Sequence, residues 1–287
     1  IPGDYLDPAG PALAQQTVML RQSRRFGGPI GELALAVNRG DAATAGECLR
    51  AGIGAILHWS TKDTPAAAVR LALTGRAGAK GGYRGYLEKL RERPKSGDAE
   101  DYQQWIRSVL VEFDRFRILC ALRDGEWGVA GLNQTIESAL QQEKLISKRS
   151  EWYAGRPVMV TRNDAQLGVF NGDIGMALPS FADPARLRVY FMQGEQLHHV
   201  STARLAHVET AFAMTVHKSQ GSEFEHTALV LAAQGGNVLS RELVYTGITR
   251  ARKAFSLWTE VPGLLVSAMG SPTQRSSGLL GFMESAW

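Results

Sequence analysis

The sequence predicts an α/β protein, in which a parallel sheet flanked by helices is interrupted by a small all-β unit. An apolar strand, a glycine-rich turn and a helix follow one another over residues 117–142, and a strand, a helix and another strand lie between residues 227 and 258. This alternation is typical of parallel sheets. Between the two regions, five short β runs within residues 152–206 predict the all-β unit.

The first hundred residues carry fewer structural signals. Residues 1–25 predict, in order, a linker rich in proline, glycine and alanine, a short strand and a basic turn. A helix is predicted from Ile30 to Asn38, ended by Gly40. Residues 50–100 alternate short helical patterns with glycine-rich stretches and predict no definite element.

The middle of the chain predicts two helices around a buried strand. Residues 101–115 form a helical pattern, since three large apolar residues are spaced for one face: Trp105, Val109 and Phe113. The compact apolar run at 117–122 predicts the strand, and a helix is expected around residues 132–142.

The all-β unit is predicted from short runs separated by turn signals. Asn163-Asp164 and Asn171-Gly172 mark two of the turns. The expected strands are 157–161, 168–170, 174–178, 187–191 and 198–200. We therefore expect a small barrel inserted in the chain, with domains at 1–150, 151–206 and 207–287.

Composition narrows the class of protein. The chain has 287 residues, of which 44% are hydrophobic and 21% charged, as in ordinary globular proteins. No apolar run approaches the ~18 residues of a membrane span, and no signal peptide is visible. Cys48 and Cys120 have no metal-binding spacing, so we expect two packed thiols and a reducing cytoplasm. The net charge of +4 permits a polyanionic partner without requiring one.

The stretch from Thr215 to Phe224 reads Thr-Val-His-Lys-Ser-Gln-Gly-Ser-Glu-Phe and precedes a predicted strand at residues 227–231. It predicts a polar loop with a short helix, which brings hydroxyls, an imidazole and backbone N–H groups together. Such groups suit phosphate oxygens. Gly221 lets the backbone approach a ligand closely, and the Glu223 carboxylate can accept hydrogen bonds from sugar hydroxyls.

A second candidate region lies in a helix that Ser240 is predicted to cap and that runs to about Lys253, ahead of a strand at 255–258. This region contains Tyr-Thr-Gly-Ile-Thr-Arg-Ala, which ends just past Arg250. A guanidinium is suited to stabilising negative charge on a phosphoryl group during transfer. For Arg252 and Lys253 we favour the simpler interpretation of a solvated basic helix face.

These regions resemble motifs of superfamily-one helicases. The loop matches each fixed position of motif V, Thr-x-His-x-x-Gln-Gly-x-Glu, and the helix matches motif VI, Tyr-x-x-x-Thr-Arg-Ala. The stretch 20–26 is similar to motif IV of the RecD-type branch. With further similar runs at 117–133 and 275–279, the resemblance to RecD-type helicases, the family of exodeoxyribonuclease V alpha subunits, covers nearly the whole chain and thins between residues 42 and 100.

The resemblance implies a role for each matching residue. Arg250, and Arg25 in the motif IV stretch, would contact the γ-phosphate of ATP. Gly221 and Glu223 would contact the nucleotide. The other polar residues of the loop would hold the DNA backbone: Thr215, His217, Lys218 and Ser219. No metal ligand is expected in this chain.

The all-β unit resembles the Src-homology-3-like barrel that RecD-type helicases insert between motifs IV and V, a mark of the 5′→3′ branch. The resemblance therefore implies a RecA-like parallel sheet with helices on both faces, plus this inserted barrel. Arg162 and Asn163 could touch single-stranded DNA. We favour the simpler interpretation that Asn163, Asn171 and Gly172 make turns, because these residue types dominate turns for steric reasons.

The loop that grips ATP phosphates in such enzymes is missing. A Walker A loop reads Gly-x-x-x-x-Gly-Lys-Ser/Thr, whereas Lys80 in the glycine-rich segment 75–82 follows alanine and precedes glycine. No acidic Walker B pair follows a strand. Because the family places motifs I to III ahead of motif IV, and the chain starts without methionine, we expect a fragment that lacks the N-terminal helicase domain.

We therefore expect the C-terminal half of an ATP-dependent 5′→3′ DNA helicase that acts in DNA unwinding and double-strand-break repair, inactive as an isolated chain. The expected partners are ATP and Mg²⁺ in the full-length protein, single-stranded and duplex-end DNA, the N-terminal helicase domain, and RecB- and RecC-like subunits, with no membrane. The alternative is a non-catalytic DNA- or protein-binding module derived from a helicase. A third hypothesis is a 3′→5′ helicase of the same superfamily. The predicted barrel argues against it, since this insertion is a mark of the 5′→3′ branch.

Overall fold

The computed structural model describes residues 27–51, 56–60, 66–75, 82–95 and 97–273. The α-helices in this part of the chain are α1 (Gly28–Arg39), α2 (Ala42–Arg50), α3 (Ala66–Thr74), α4 (Tyr83–Arg91), α5 (Ala99–Phe113), α6 (Val129–Gln142), α7 (Arg241–Ile248) and α8 (Leu264–Met269). The strands are β1 (Ile56–Ser60), β2 (Phe116–Cys120), β3 (Pro157–Val160), β4 (Ile174–Pro179), β5 (Leu187–Gln193), β6 (Gln196–Ser201), β7 (Val208–Thr210), β8 (Ala213–Thr215), β9 (Phe224–Leu231) and β10 (Ala251–Thr259).

The larger unit is a parallel sheet covered on both faces. Its strand order is β1-β10-β9-β2-β8, and every neighbouring pair is parallel. Alternate residues of β9 point to opposite faces: Ala228 and Val230 pack with α3 to α6, whereas Leu229 and Leu231 pack with α1, α2, α7 and α8. Burial on both faces explains why the strands read as apolar runs. The predicted α/β fold is confirmed.

The smaller unit is an antiparallel sheet of order β6-β5-β4-β3-β7. Its own core includes Val158, Val189 and Phe191. The fifth strand is β7, which ends at Thr210, past the limit of 206 expected for this unit. The strand predicted at 168–170 was wrong, since this stretch makes only an isolated bridge between Asp164 and Val169.

A side chain explains why that stretch turns. The Asp164 carboxylate accepts hydrogen bonds from the backbone N–H groups of Gln166 and Leu167, both at 3.1 Å. This local capture of the backbone is typical of aspartate in turns and competes with strand pairing.

The two units are packed together through α4 and α5. Met176, Leu178 and Tyr190 of the antiparallel sheet belong to the same buried cluster as these helices. The hydroxyl of Tyr102 on α5 also donates to the carbonyl oxygen of Pro179 at 2.8 Å. The inserted sheet is therefore seated on the face of α5.

Capping residues explain where two predicted helices begin or end. Gly40 ends α1 with a left-handed conformation (φ 74°), and its N–H donates to the carbonyl oxygens of Ala36 and Val37. At the start of α5, the Asp98 side chain accepts hydrogen bonds from the N–H groups of Glu100 and Asp101. Both helices are confirmed, with bounds shifted by one or two residues.

The helix after Ser240 is shorter than expected. Ser240 caps α7 as predicted, but α7 ends at Ile248, and Lys253 lies in β10 instead. The reason is that β10 sits between β1 and β9 and hydrogen bonds to both, which favours extended backbone from Ala251 onward. Arg250 consequently occupies the turn between α7 and β10.

Two further findings bear on the sequence predictions. In the described part of the chain, no helix is long and apolar enough to cross a membrane. The strand and basic turn predicted within 17–25, and the run at 275–279, lie outside the described residues.

Candidate functional site

The polar loop runs from the carboxyl edge of the parallel sheet, where its strands end, to the amino edge, where they begin. Thr215, where β8 ends, is level with Cys120 on β2 and so with Val230 on β9. The loop then reaches Phe224, where β9 begins. Because Val230 and Phe224 are six residues apart on one strand, residues 216–223 span about 20 Å from the carboxyl edge to the amino edge.

At the carboxyl edge, hydrogen bonds close the loop into a tight turn. The N–H of Val216 donates to the carbonyl oxygen of Cys120 at 3.0 Å, which continues the pairing of β8 with β2. A single 3₁₀ turn follows at His217–Ser219. The hydroxyl of Thr215 accepts from the N–H of Lys218 at 3.3 Å. The turn therefore groups Thr215, His217 and Lys218 within one short segment.

These three side chains are accessible to different extents. His217 is exposed, whereas Thr215 and Lys218 are half-buried. The ammonium group of Lys218 donates to the side-chain oxygen of Asn171, in a turn of the antiparallel sheet. The loop thus contacts the inserted unit directly.

Ser219 differs from the expectation for a DNA contact. Its side chain is fully buried, and its hydroxyl donates to the carbonyl oxygen of Val216 at 2.7 Å. In this conformation Ser219 shapes the turn and presents no hydroxyl to solvent.

At the amino edge, Gly221 and Glu223 lie on the surface. Gly221 has a left-handed backbone (φ 88°), a conformation that favours glycine, and an added Cβ would meet no atom within 4 Å. Backbone geometry, rather than lack of space, therefore requires glycine here. Glu223 is exposed one residue before β9 begins.

Arg250 connects this edge of the loop to α7. Its guanidinium donates to the carbonyl oxygen of Ser222 at 3.0 Å and to that of Thr246 at 3.2 Å. A third hydrogen bond, of 3.3 Å, reaches the hydroxyl of Thr249. The N–H of Phe224 in turn donates to the carbonyl oxygen of Arg250 at 2.8 Å. The two motif-like regions are therefore brought together in space.

The neighbouring cations Arg252 and Lys253 are exposed, as the simpler interpretation held, but they lie on β10 and not on a helix face. Lys253 pairs with Glu225 at 3.1 Å. The side-chain oxygen of Asn163 accepts from the N–H of Asn171 at 2.8 Å, a contact within the inserted unit, and Asn171 and Gly172 form a turn as predicted. Arg25, the second arginine assigned to ATP, lies outside the described residues.

Sequence reasoning missed the residues that support the loop from behind. Asn133, Arg117 and Tyr83 are buried and contact the segment that leads into β8. Arg117 and Asn133 both fell in the stretch 117–133, noted for its family resemblance. Asn133 had a further signal, being an amide on a helical position that faces the core. No local pattern pointed to Tyr83.

The chain matches two family models. Residues 210–257 match the UvrD-like helicase C-terminal domain, which spans the loop, α7 and most of β10. Residues 132–191 match the SH3 domain of ATP-dependent RecD-like DNA helicases, which covers α6 and strands β3 to β5.

Several relatives are similar over much of the chain. The RecD subunit of the RecBCD enzyme from Haemophilus influenzae is 36% identical over 274 residues, which are 92% of this chain and 40% of the relative. That of Mycobacterium tuberculosis is 37% identical over 234 residues, or 82% of this chain and 37% of the relative. The ATP-dependent RecD2 DNA helicase of Deinococcus radiodurans is 32% identical over 166 residues, or 57% and 23%.

Among solved structures, a Bacteroides Pif1 helicase aligns with 70% of this chain and 48% of its own, at 14% identity and a TM-score of 0.35. The chain spans about 40% of the length of the RecD subunits that it matches. The two matches assign the segment with the loop and Arg250 to the class of UvrD-like helicase C-terminal domains, and the inserted sheet to the SH3 domain of RecD-like helicases. Within that class, the chain belongs to the RecD family.

Proposed function

We propose that this chain is the second motor domain of an ATP-dependent 5′→3′ DNA helicase acting in DNA unwinding and double-strand-break repair. One observation supports this most strongly. A single loop joins a phosphate-suited surface at one edge of the sheet to Arg250 at the other, about 20 Å away. Such a loop can transmit a change at a nucleotide to a bound strand of DNA.

On the nucleotide side, Arg250 would act as the arginine finger. A guanidinium beside the γ-phosphate stabilises the charge that develops on the transferred phosphoryl group. Here the Ser222 and Thr246 carbonyl oxygens hold the guanidinium beside the loop. Gly221 would bring backbone N–H groups near the nucleotide, and Glu223 would accept hydrogen bonds from its sugar. Arg25 would be the second arginine on the γ-phosphate.

The residues at this edge suit phosphate better than a metal ion. In nucleotide sites Mg²⁺ is usually held by one or two carboxylates together with phosphate oxygens and waters. The described residues contain no cluster of three or more His, Cys, Asp or Glu side chains that could hold a metal. We assign ATP and Mg²⁺ to the full-length protein, with the N-terminal helicase domain gripping the phosphates and the metal. This chain would contribute the arginines.

On the DNA side, the exposed turn would contact the sugar–phosphate backbone. Thr215, His217 and Lys218 offer a hydroxyl, an imidazole and an ammonium group within one short segment. Contacts of this kind position a strand without reading its sequence. Ser219 would support the turn from inside, through its bond to Val216.

The partners follow from the family. Relatives carry the name of a RecBCD enzyme subunit, and we propose RecB- and RecC-like subunits, single-stranded DNA and duplex DNA ends as partners of this protein, in a bacterial cytoplasm. The N-terminal helicase domain would close on the Arg250 edge.

Binding of labelled single-stranded oligonucleotides to the 287-residue chain tests the DNA side. Changing His217 and Lys218 together to Ala should weaken binding alike for all base compositions. It should also reduce the slope of log affinity against log salt by about 0.7, the contribution of one cation on a single strand. Arg252→Ala is the matched control, since it removes one exposed cation outside the loop.

A result that would contradict the assignment is an affinity of the double variant equal to that of the unmodified chain. A marked sequence preference would contradict it as well, because phosphate contacts are blind to base identity.

A further inference from the structure

The loop is entered through a short crossing segment, residues 210–213. Thr210 is the last residue of β7 in the antiparallel sheet, and Ala213 is the first residue of β8 in the parallel sheet. Only Met214 separates Ala213 from Thr215, where the polar loop begins. Any shift of the crossing segment therefore moves the turn that holds His217 and Lys218.

Each of the four carbonyl oxygens of the crossing segment accepts a hydrogen bond from a buried side chain. The Asn133 amide N–H₂ donates to those of Thr210 (2.9 Å) and Ala213 (3.1 Å). The Arg117 guanidinium donates to that of Ala211 at 2.8 Å. The Tyr83 hydroxyl donates to that of Phe212.

Asn133 uses both ends of its amide. Besides donating to two carbonyl oxygens, its side-chain oxygen accepts from the N–H of Ala213 at 2.9 Å. The opposite orientation of the amide would face two carbonyl oxygens with a third oxygen, so the network permits one orientation. The result is a fixed register for the first residue of β8.

The three side chains come from three separate elements. Tyr83 begins α4, Arg117 lies on β2 and Asn133 lies on α6. Tyr83 and Arg117 are fully buried, and Asn133 is nearly so. Burial also raises the pKa of Tyr83, so its hydroxyl remains a protonated donor.

Ordinary strand pairing provides little alternative support. β8 has three residues and is the outermost strand of the parallel sheet, so it pairs only with β2 among the described strands. Short edge strands have few ladder hydrogen bonds to fix their position. The side chains therefore contribute a large share of the restraint on this segment.

We infer that Tyr83, Arg117 and Asn133 are positioning residues that clamp the crossing segment and so set the placement of the DNA-contacting turn. The restraint on the crossing segment does not depend on the proposed function. Its consequence for DNA binding rests on the proposed function. The clamp connects α4, β2 and α6 to the crossing segment through its four backbone carbonyl groups and the N–H of Ala213.

Tyr83→Phe tests the clamp with the smallest change. It removes one hydroxyl and keeps the ring, which packs against Phe113, Phe116 and Phe212. Tyr102→Phe is the matched control, because it removes a buried hydroxyl of the same kind from the carbonyl oxygen of Pro179, on the antiparallel sheet. Asn133→Leu is a second variant, which removes three hydrogen bonds to the crossing segment.

Two readouts are compared in the 287-residue chain: amide hydrogen exchange of peptides covering 211–223, and affinity for a labelled oligo-dT strand. Tyr83→Phe should speed exchange in these peptides and weaken affinity about threefold to tenfold, the equivalent of one net hydrogen bond. Tyr102→Phe should do neither.

Unchanged exchange in Tyr83→Phe and Asn133→Leu, or an effect no larger than in Tyr102→Phe, would overturn the clamp. Faster exchange with unchanged affinity would overturn the inferred role of the clamp in DNA binding, since the placement of the turn would then not matter for DNA. If the unmodified chain fails to bind DNA while exchange still responds to Tyr83→Phe, the clamp stands and the proposed function fails.

Discussion

At the scale of single residues, Arg117 shows how much one buried side chain can hold in place. Its guanidinium donates to Ala211 at 2.8 Å and to the Asp114 carboxylate at 2.9 Å. The same group lies 4.1 Å from the ring centroid of Phe113 and 5.0 Å from that of Phe224. It therefore joins the end of α5, the crossing segment and the start of β9 in one contact network.

Arg117→Met keeps much of the side-chain volume but removes the charge and both hydrogen bonds. The carbonyl oxygen of Ala211 would be left buried without this donor. We expect the free energy of unfolding to fall by about 2–4 kcal/mol, measured by urea denaturation. The control is Arg115→Met, which breaks a partly exposed ion pair with Glu112 and should cost less than about 1 kcal/mol. Equal losses in the two variants would show that Arg117 contributes no more than a surface pair.

At the scale of elements, α7 is held at both ends, and this fixes Arg250 in the turn that follows it. At its start, the Glu242 carboxylate accepts from the N–H and hydroxyl of Thr273, at 2.8 and 2.7 Å. These two hydrogen bonds lower the pKa of Glu242 below its ordinary value of 4.5. The contact ties the segment after α8 to the first turn of α7.

The lowered pKa makes a prediction about pH. Because the folded-state pKa lies below the unfolded one, the contact stabilises the fold fully above pH 4.5 and loses this contribution as pH falls through the lowered value. Glu242→Gln should therefore be less stable than the parent at pH 7, by less than about 1 kcal/mol for so exposed a group, and the difference should shrink in acid.

Urea denaturation at a series of pH values measures this difference. Thr273→Val removes the hydroxyl donor and leaves the carboxylate. The difference in unfolding free energy between the parent and this variant should also shrink in acid, but from a smaller value at pH 7. A difference between parent and Glu242→Gln that stays constant from pH 7 into the acid range would rule out this contact as the cause.

At the scale of the whole molecule, the features that were predicted from the sequence are those determined by residues close together in the chain. Helix α1 was predicted from apolar spacing and from Gly40 at its end, and α5 from apolar spacing alone. The polar loop and Arg250 were recognisable because their residues stand within short, ordered patterns. The parallel sheet and the antiparallel sheet were both predicted, since strands separated by helices and strands separated by turns follow different patterns in the sequence.

Features decided by distant contacts were not predictable in this way. The clamp joins residues separated by 77 to 129 positions in the chain, so no local pattern contains it. The end of α7 was misplaced because residues 249–253 are compatible with a helix until β9 and β1 pair with β10. The limit of the inserted sheet was misjudged for the same reason, since β7 is defined by pairing with β3.

We propose that Arg250 of this domain acts as an arginine finger in ATP hydrolysis. The test is DNA-stimulated ATP turnover by the full-length protein, compared between Arg250→Ala and Arg252→Ala. The Arg250 variant should lose on the order of 10³–10⁵ in turnover while still binding nucleotide, since a finger acts on transition-state charge. The Arg252 variant, which changes an exposed arginine two positions away, should keep normal turnover. Near-normal turnover in the Arg250 variant, or equal losses in both, would show that Arg250 is not an arginine finger.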